Sequence, residues 1–269
     1  MQLTENIINL EEIEALIKSQ ERPDPEYVRE ILKRSEGLIG LSIREAAALL
    51  NVDEPDLLKE LFKASAIVKE KVYGKRIVLF APLYLSNECS NNCLYCGFRR
   101  DNKDAKRKTL TIDEAVAEAK FLSQRGYKRL LLVTGEDIRS SDIEYLIAVI
   151  KAIYENTDIR ILHINAPPMK TEDFRRLKEA GIGVYQSFQE TYHPETYKKM
   201  HPSGMKKDYE WRITTMDRAI EAGFDDIGMG TLLGLYDLRL EAPAVSQHAK
   251  YLEERCDLDP HTVSVPRAQ

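Results

Sequence analysis

From Arg76 onward the chain repeats one alternation, a short apolar run followed by a longer amphipathic segment, and few folds accept it. The runs are 76–85 (Arg-Ile-Val-Leu-Phe-Ala-Pro-Leu-Tyr-Leu), 129–134, 159–166, 182–188, 226–233 and 261–266. The first, near-continuous and rich in β-branched and aromatic residues, reads as a strand buried on both faces, and the other five read as strands too. Segments near 112–125, 141–154, 171–180, 209–222 and 241–254 read as helices. Thr111 and Thr171 stand where N-caps belong, and Gly126, Gly181 and Gly223 stand just past helix ends. Parallel strands can be joined only through a long crossover, so strands alternating with helices predict a parallel sheet. About six β/α units suit a TIM-type barrel, whose functional residues gather on the loops after strand C-termini. Two more strands would be needed for closure, so a partial or truncated (β/α) barrel over 76–269 is expected.

Residues 1–75 carry a different rhythm. Apolar residues recur at helical spacing around 10–17, 27–32 and 43–50, and then in a longer helix through Leu57, Leu61, Val68 and Val72 that Asp53 can cap and Gly74 can end. An N-terminal helical extension over 1–75 is the expectation. With 43% hydrophobic residues in 269, the chain can bury a substantial core. Its 39 basic against 44 acidic residues leave a net charge of −5, which gives no support to nucleic-acid binding. The start of the chain lacks a signal-like basic and apolar pattern, and no apolar stretch approaches the roughly 20 residues of a membrane span. A cytoplasmic protein without a membrane partner is expected.

Three of the four cysteines, Cys89, Cys93 and Cys96, fall on the loop after the first strand. Thiolates so closely spaced suit a soft metal centre, and iron–sulfur clusters are held by cysteines of this kind. A C-x3-C-x2-C set without a local fourth ligand leaves one coordination position open. A structural zinc site, which wants four closed ligands, and incidental thiols are the alternatives. Cys256 stands alone near a helix end and reads as a small filler.

Other polar groups collect at strand ends. Thr134-Gly135-Glu136-Asp137 closes the second strand, as a plain turn or as part of a site. Tyr185-Gln186-Ser187-Phe188-Gln189-Glu190-Thr191-Tyr192 ends the fourth, where so many polar groups must pair structurally or line a cavity. Arg212 opens a helical stretch, and an ordinary surface arginine is its bland reading. The basic run Arg99, Arg100, Lys103, Lys106, Arg107 and Lys108 reads as a solvated loop or as a lip attracting anions. His193 and His201 sit at turns or helix starts.

The Cys spacing, with Tyr95 one place before the last Cys, resembles the signature of radical S-adenosylmethionine enzymes. The likeness extends to 89–100 (Cys-Ser-Asn-Asn-Cys-Leu-Tyr-Cys-Gly-Phe-Arg-Arg), 188–193, 216–226 and Gly-Leu-Tyr-Asp at 234–237. These stretches look like the aromatic-amino-acid lyases of that class, first the tyrosine lyase of FeFe-hydrogenase maturation and next the tyrosine lyase (2-iminoacetate synthase) of thiazole synthesis. The resemblance implies that Cys89, Cys93 and Cys96 hold a 4Fe-4S cluster whose fourth iron binds S-adenosyl-L-methionine. It implies further cofactor contacts from Tyr95, from Gly135 and Glu136 (with Thr134 in place of a first glycine), from Glu190 toward ribose hydroxyls and from Arg212 toward a carboxylate. Gln186, Ser187 and Gln189 are candidate substrate or cofactor contacts, and no catalytic residue is assigned. The implied reaction cleaves the Cα–Cβ bond of L-tyrosine to p-cresol and dehydroglycine, with a low-potential donor such as ferredoxin or flavodoxin. The family's C-terminal cluster domain has no counterpart here. A non-catalytic iron–sulfur or partner-binding fragment stays open as another reading.

Overall fold

A computed structural model describes residues 7–268. The chain forms two compact units, one of residues 1–78 with 236–248 and one of 79–235 with 249–269.

The first unit is helical: α1 (Leu10–Ser19), α2 (Pro25–Glu36), α3 (Ile43–Leu50) and α4 (Pro55–Tyr73). Val28 and Leu32 of α2 bury against Leu57 and Ala64 of α4, with Leu49, Val52 and Leu61 packed around them. Burial of Val28, Leu32 and Leu57 contributes about 1.5–3 kcal/mol each by leaving water. Ser42 caps α3 through a reciprocal box with Glu45. Gly74 ends α4 as expected, with φ +58°, but the N-cap is Glu54 rather than Asp53, because Pro55 fits the first helical position.

The second unit holds six parallel strands in sequential order: β1 (Ala81–Ser86), β2 (Arg129–Thr134), β3 (Ile161–Asn165), β4 (Ile182–Gln186), β5 (Ile227–Gly230) and β6 (Thr262–Ser264). Between them run α5 (Ile112–Gln124), α6 (Ile143–Asn156), α7 (Thr171–Glu179), α8 (Pro194–Met200), α9 (Tyr209–Ile213), α10 (Thr215–Glu221) and α11 (Leu238–Cys256), the last beginning in the first unit. Sequential order with right-handed crossovers sends every connection to the same face, as in a barrel wall. The partial TIM-type architecture read from the alternation is therefore present. Leu130, Leu132, Leu162 and Ile164 are fully buried, and Tyr185 stacks edge-on against Phe174 of α7 at 4.6 Å.

Four expectations need correction. The apolar run from 76 forms a strand only from Ala81, and Ile77 to Phe80 are exposed, Ile77 to 81%. Among the described residues β2 is the one partner strand of β1, with a single bridge from Ser86 to Thr109 besides, and the exposure of β1 alternates from Ala81 to Tyr84, which lies open. Thr171 is the first residue of its helix, with Lys170 as N-cap, and the helix expected over 209–222 breaks at Thr214 into α9 and α10. Thr111 caps as expected, and Gly126, Gly181 and Gly223 all have positive φ. Among the described residues no helix is long and apolar enough to cross a membrane.

Candidate cofactor site at the strand C-termini

The loop after β1 is tied to its neighbours by backbone bonds. Gly135 N donates to Ser86 O (2.8 Å), and Ser90 donates to Glu136 O from its amide (3.0 Å) and its hydroxyl (2.7 Å). Leu94 N donates to Met200 O (3.0 Å), which fastens the loop to the end of α8. From inside, the Arg107 guanidinium donates to the carbonyls of Asn87 (2.6 Å), Phe98 (2.9 Å) and Arg99 (2.7 Å). Gly135 is required here, because a Cβ would lie 2.1 Å from Glu88 O.

This frame presents three free thiols, Cys93 buried and Cys89 and Cys96 half-buried. Burial above all, with the charges of Glu136, Cys96 and Cys89, pushes the Cys93 thiol up to about 11, while Lys206 pulls the other way. Burial likewise raises Cys89. Thiols that resist ionising together are stabilised as thiolates by a bound cationic centre. Among the described residues no three His, Cys, Asp or Glu converge as the ligands of one ion would.

Two buried ion pairs stand beside the loop. Arg212, in the last turn of α9, donates from Nη1 to Glu136 Oε1 (2.5 Å) and from Nε to Phe188 O (3.0 Å). Asn91 Nδ2 donates to the other oxygen of Glu136 (2.7 Å), and Asn91 Oδ1 accepts from Lys206 N (3.0 Å). Lys206 Nζ in turn donates to Glu190 Oε1 (2.6 Å). Burial would raise the Glu136 pKa, but Arg212, Lys206 and the hydrogen bonds outweigh it and hold the carboxyl below the ordinary range. Burial would lower the Arg212 pKa, and Glu136 with its neighbours raises it instead. Both groups are therefore charged at neutral pH. Glu190 has φ +72°, a left-handed conformation rare for a residue with a side chain. Leu232 N (2.7 Å) and Thr231 Oγ1 (2.8 Å) hold it there by donating to its carbonyl.

Tyr95 completes the wall. His201 Nδ1 lies 2.8 Å from Tyr197 O, an acceptor only, so that nitrogen carries the proton. Burial, with the Lys206 charge, lowers the His201 pKa to about 4, so the ring is neutral and Nε2 accepts from Tyr95 OH (2.8 Å).

Of the residues singled out from the sequence, Cys89, Cys93, Cys96, Tyr95, Gly135, Glu136, Glu190 and Arg212 gather in this one network. Gln186, Ser187 and Gln189 lie outside its hydrogen bonds. Gln186 packs over Gly228, where a Cβ would meet its Cγ at 2.7 Å. Ser187 and Gln189 extend the ladder through Gly228 O and Gly230 O, and both are buried. Sequence reasoning missed Asn91 and Lys206 and gave His201 no such role. Lysine next to lysine at 206–207 looks like a solvated pair, and nothing local marks the first as buried. Gly204 was a usable signal: its φ is +91° and a Cβ there would strike Asn91, so the 204–206 turn is pressed onto the Cys loop.

The donor set fits an iron–sulfur cluster with an attached polar cofactor: three thiols, no convergent single-ion site, and buried charges beside them. Trp211 Nε1, buried and without a hydrogen-bond partner among the described residues, borders a cleft lined also by Glu136, Pro167, Lys206 and Arg212. His201 offers no fourth ligand, because both its ring nitrogens are engaged. A cavity of about 720 Å³ lies in the helical unit among Leu32, Leu49, Leu61 and Val68 and holds none of this chemistry.

The sequence pattern of the Radical SAM superfamily matches residues 83–242. The chain belongs to that superfamily. The 2-iminoacetate synthase of Escherichia coli K12 is 34% identical over 221 residues, 82% of this chain and 58% of the relative. A crystal structure of HydG, a maturase of the [FeFe]-hydrogenase, superposes with TM-score 0.95 and 46% identity over 98% of this chain and 59% of that one. HydG from Carboxydothermus hydrogenoformans gives TM-score 0.93 and 44% identity over 99% of this chain and 62% of that one. Methylornithine synthase, at 21% identity and TM-score 0.76, shares the fold. The resemblance read from the Cys loop and the strand ends is thus borne out. The chain spans about three fifths of the length of the first relatives it matches.

Proposed function

We propose that this chain is a radical S-adenosylmethionine lyase that cleaves the Cα–Cβ bond of L-tyrosine to p-cresol and dehydroglycine. Its likeness to both HydG and 2-iminoacetate synthase supports the choice of reaction. The observation that carries the reading is the Cys loop locked against the Glu136–Arg212 and Glu190–Lys206 pairs. Cys89, Cys93 and Cys96 would hold a 4Fe-4S cluster. Bound there, the cluster and S-adenosylmethionine would supply an electron and a 5′-deoxyadenosyl radical. Arg212 has N–H donors beyond those given to Glu136 and Phe188, and a planar fork of this kind pairs a carboxylate. Glu190 gives only one oxygen to Lys206, which leaves an acceptor for ribose hydroxyls. Gly135 and Glu136 brace the loop, and Tyr95 with neutral His201 walls the site without adding charge.

The reaction asks for exclusion of water and a fixed substrate. Gln186 is the candidate substrate contact on the glycine-lined side of the sheet, with Ser187 and Gln189 as further candidates. The electron would come from a low-potential carrier. Anaerobic iron–sulfur reconstitution followed by assay of 5′-deoxyadenosine and p-cresol, with and without tyrosine, tests the reading. Iron near four per chain is expected, lost in Cys89→Ala, Cys93→Ala or Cys96→Ala and kept in Cys256→Ala. A loaded chain that forms 5′-deoxyadenosine but no p-cresol would sink the tyrosine assignment and leave the cofactors in place.

A further inference from the structure

Tyr185 meets Phe174 of α7, and its register partners Ile164 and Ile227 share its side of the sheet. Side chains alternate along a strand, so Asn165, Gln186 and Gly228, which pair in one row across β3, β4 and β5, look away from α7. His163 lies on that same second face, two residues back from Asn165 along β3. The face is graded in polarity. Asn165 and Gln186 end their strands, at the end of the sheet from which the Cys loop leaves β1, and both are half-buried. A Cβ at Gly228 would meet Gln186 Cγ at 2.7 Å, so the Gln186 side chain lies across β5 and away from β3. One row deeper, His163 pairs in register with Leu131 on one side and Val184 on the other, which gives it apolar neighbours. His163 Nε2 is buried there without a hydrogen-bond partner among the described residues. Burial, then the charges of Arg129 and His261, lower the His163 pKa to about 4, so the ring is neutral and Nε2 can serve as a donor or an acceptor. A buried polar atom without a partner is costly, and a ligand that supplies one gains by doing so.

We propose that His163 hydrogen-bonds the phenol hydroxyl of the substrate and selects tyrosine over phenylalanine. The proposal rests on the tyrosine reading above and adds which group recognises the ring. Two residues of parallel strand span about 6.6 Å, the reach from the Cα of a tyrosine to its phenol oxygen. With the amino-acid end at the level of Asn165 and Gln186, beside the Cys loop, the hydroxyl comes to His163 Nε2. Leu131 and Val184 then flank the far end of the ring. The phenol both donates and accepts, so it satisfies Nε2 in either tautomer of the imidazole.

The test is calorimetric titration with L-tyrosine and with L-phenylalanine, on the reconstituted chain loaded with S-adenosylmethionine and left unreduced so that nothing turns over. The parent should prefer tyrosine by about tenfold or more, since a site that pairs a substrate hydroxyl is left with its own group unpaired when the hydroxyl is missing. His163→Leu should weaken tyrosine binding about tenfold and leave phenylalanine binding unchanged, which erases the preference. His163→Gln, whose amide reaches to where Nε2 stands, should keep most of it. Melting curves show that each variant is folded. A parent that binds the two amino acids equally overturns the proposal without any variant. So does a folded His163→Leu that keeps the preference, or one that loses both ligands alike, as a residue that only supports the sheet would. A loaded parent that binds neither amino acid overturns the tyrosine reading itself, and the first titration shows this before any variant is made.

Discussion

The Arg212–Glu136 pair gives the sharpest test of how the site is held. Arg212 is 4% and Glu136 13% exposed at the side chain, and they are joined at 2.5 Å. Replacing Arg212 by Met removes the partner but keeps most of the volume. Glu136 then stays buried with a single side-chain donor, Asn91 Nδ2, and loses its direct ion-pair partner. Breaking a buried pair from one side costs about 3–5 kcal/mol. For a chain of this length each kcal/mol moves the melting temperature by roughly 2–4 °C, so a fall of about 6–20 °C is expected. Glu136→Gln should cost a similar amount, because it leaves the guanidinium buried without its carboxylate partner. The double variant removes both charges together and should cost much less than the sum, with a coupling energy of at least 2 kcal/mol, roughly the upper range for interacting residues. Scanning calorimetry on the four proteins measures it. Additive losses, or an Arg212→Met protein as stable as the parent, would refute the claim that the pair is a buried unit.

Gly135→Ala should be more damaging than its single methyl suggests, since the new carbon would sit 2.1 Å from Glu88 O and the first residues of the Cys loop must move. A loss of about 1–3 kcal/mol from overpacking is expected, together with reduced iron uptake; normal uptake would show that the loop tolerates displacement. His201 gives a pH signature. Its folded pKa, lowered to about 4, lies below the ordinary value of 6.5, so the unfolded chain takes up the proton first. Its contribution is fully present above pH 6.5 and is lost as pH falls toward 4, by roughly 3 kcal/mol in all. The parent should therefore lose stability over that window faster than His201→Gln, and parallel melting curves for the two would exclude the assignment.

The alternation of strand and helix was legible because it is local: each β/α unit carries its own periodicity, its cap and its terminating glycine. The extent of β1 was not. Ile77 to Phe80 have the composition of a buried strand, and only the register with β2, which begins at Ala81 opposite Leu130, shows where pairing starts. The cysteines announced themselves by spacing. Arg212 and Glu136 each carried a weak local signal, yet their bond spans 76 positions of sequence. The burial of Lys206 was invisible for the same reason, since it is decided by Glu190 at the end of β4 and by Asn91 on the Cys loop.

Glu190 shows how these levels meet. A left-handed backbone costs a residue with a Cβ roughly 1–2 kcal/mol, and glycine would sit there freely. The chain nonetheless places a glutamate at that position, fixes its carbonyl from Thr231 and Leu232, and balances its carboxylate with a lysine that is otherwise expensive to bury. Neither expense improves the packing of the sheet. Both fit the role proposed above for Glu190, since strain of this kind concentrates where a side chain is held for a ligand. Lys206 serves two ends: it pairs with Glu190, and through Asn91 it ties that carboxylate to the loop carrying the thiols.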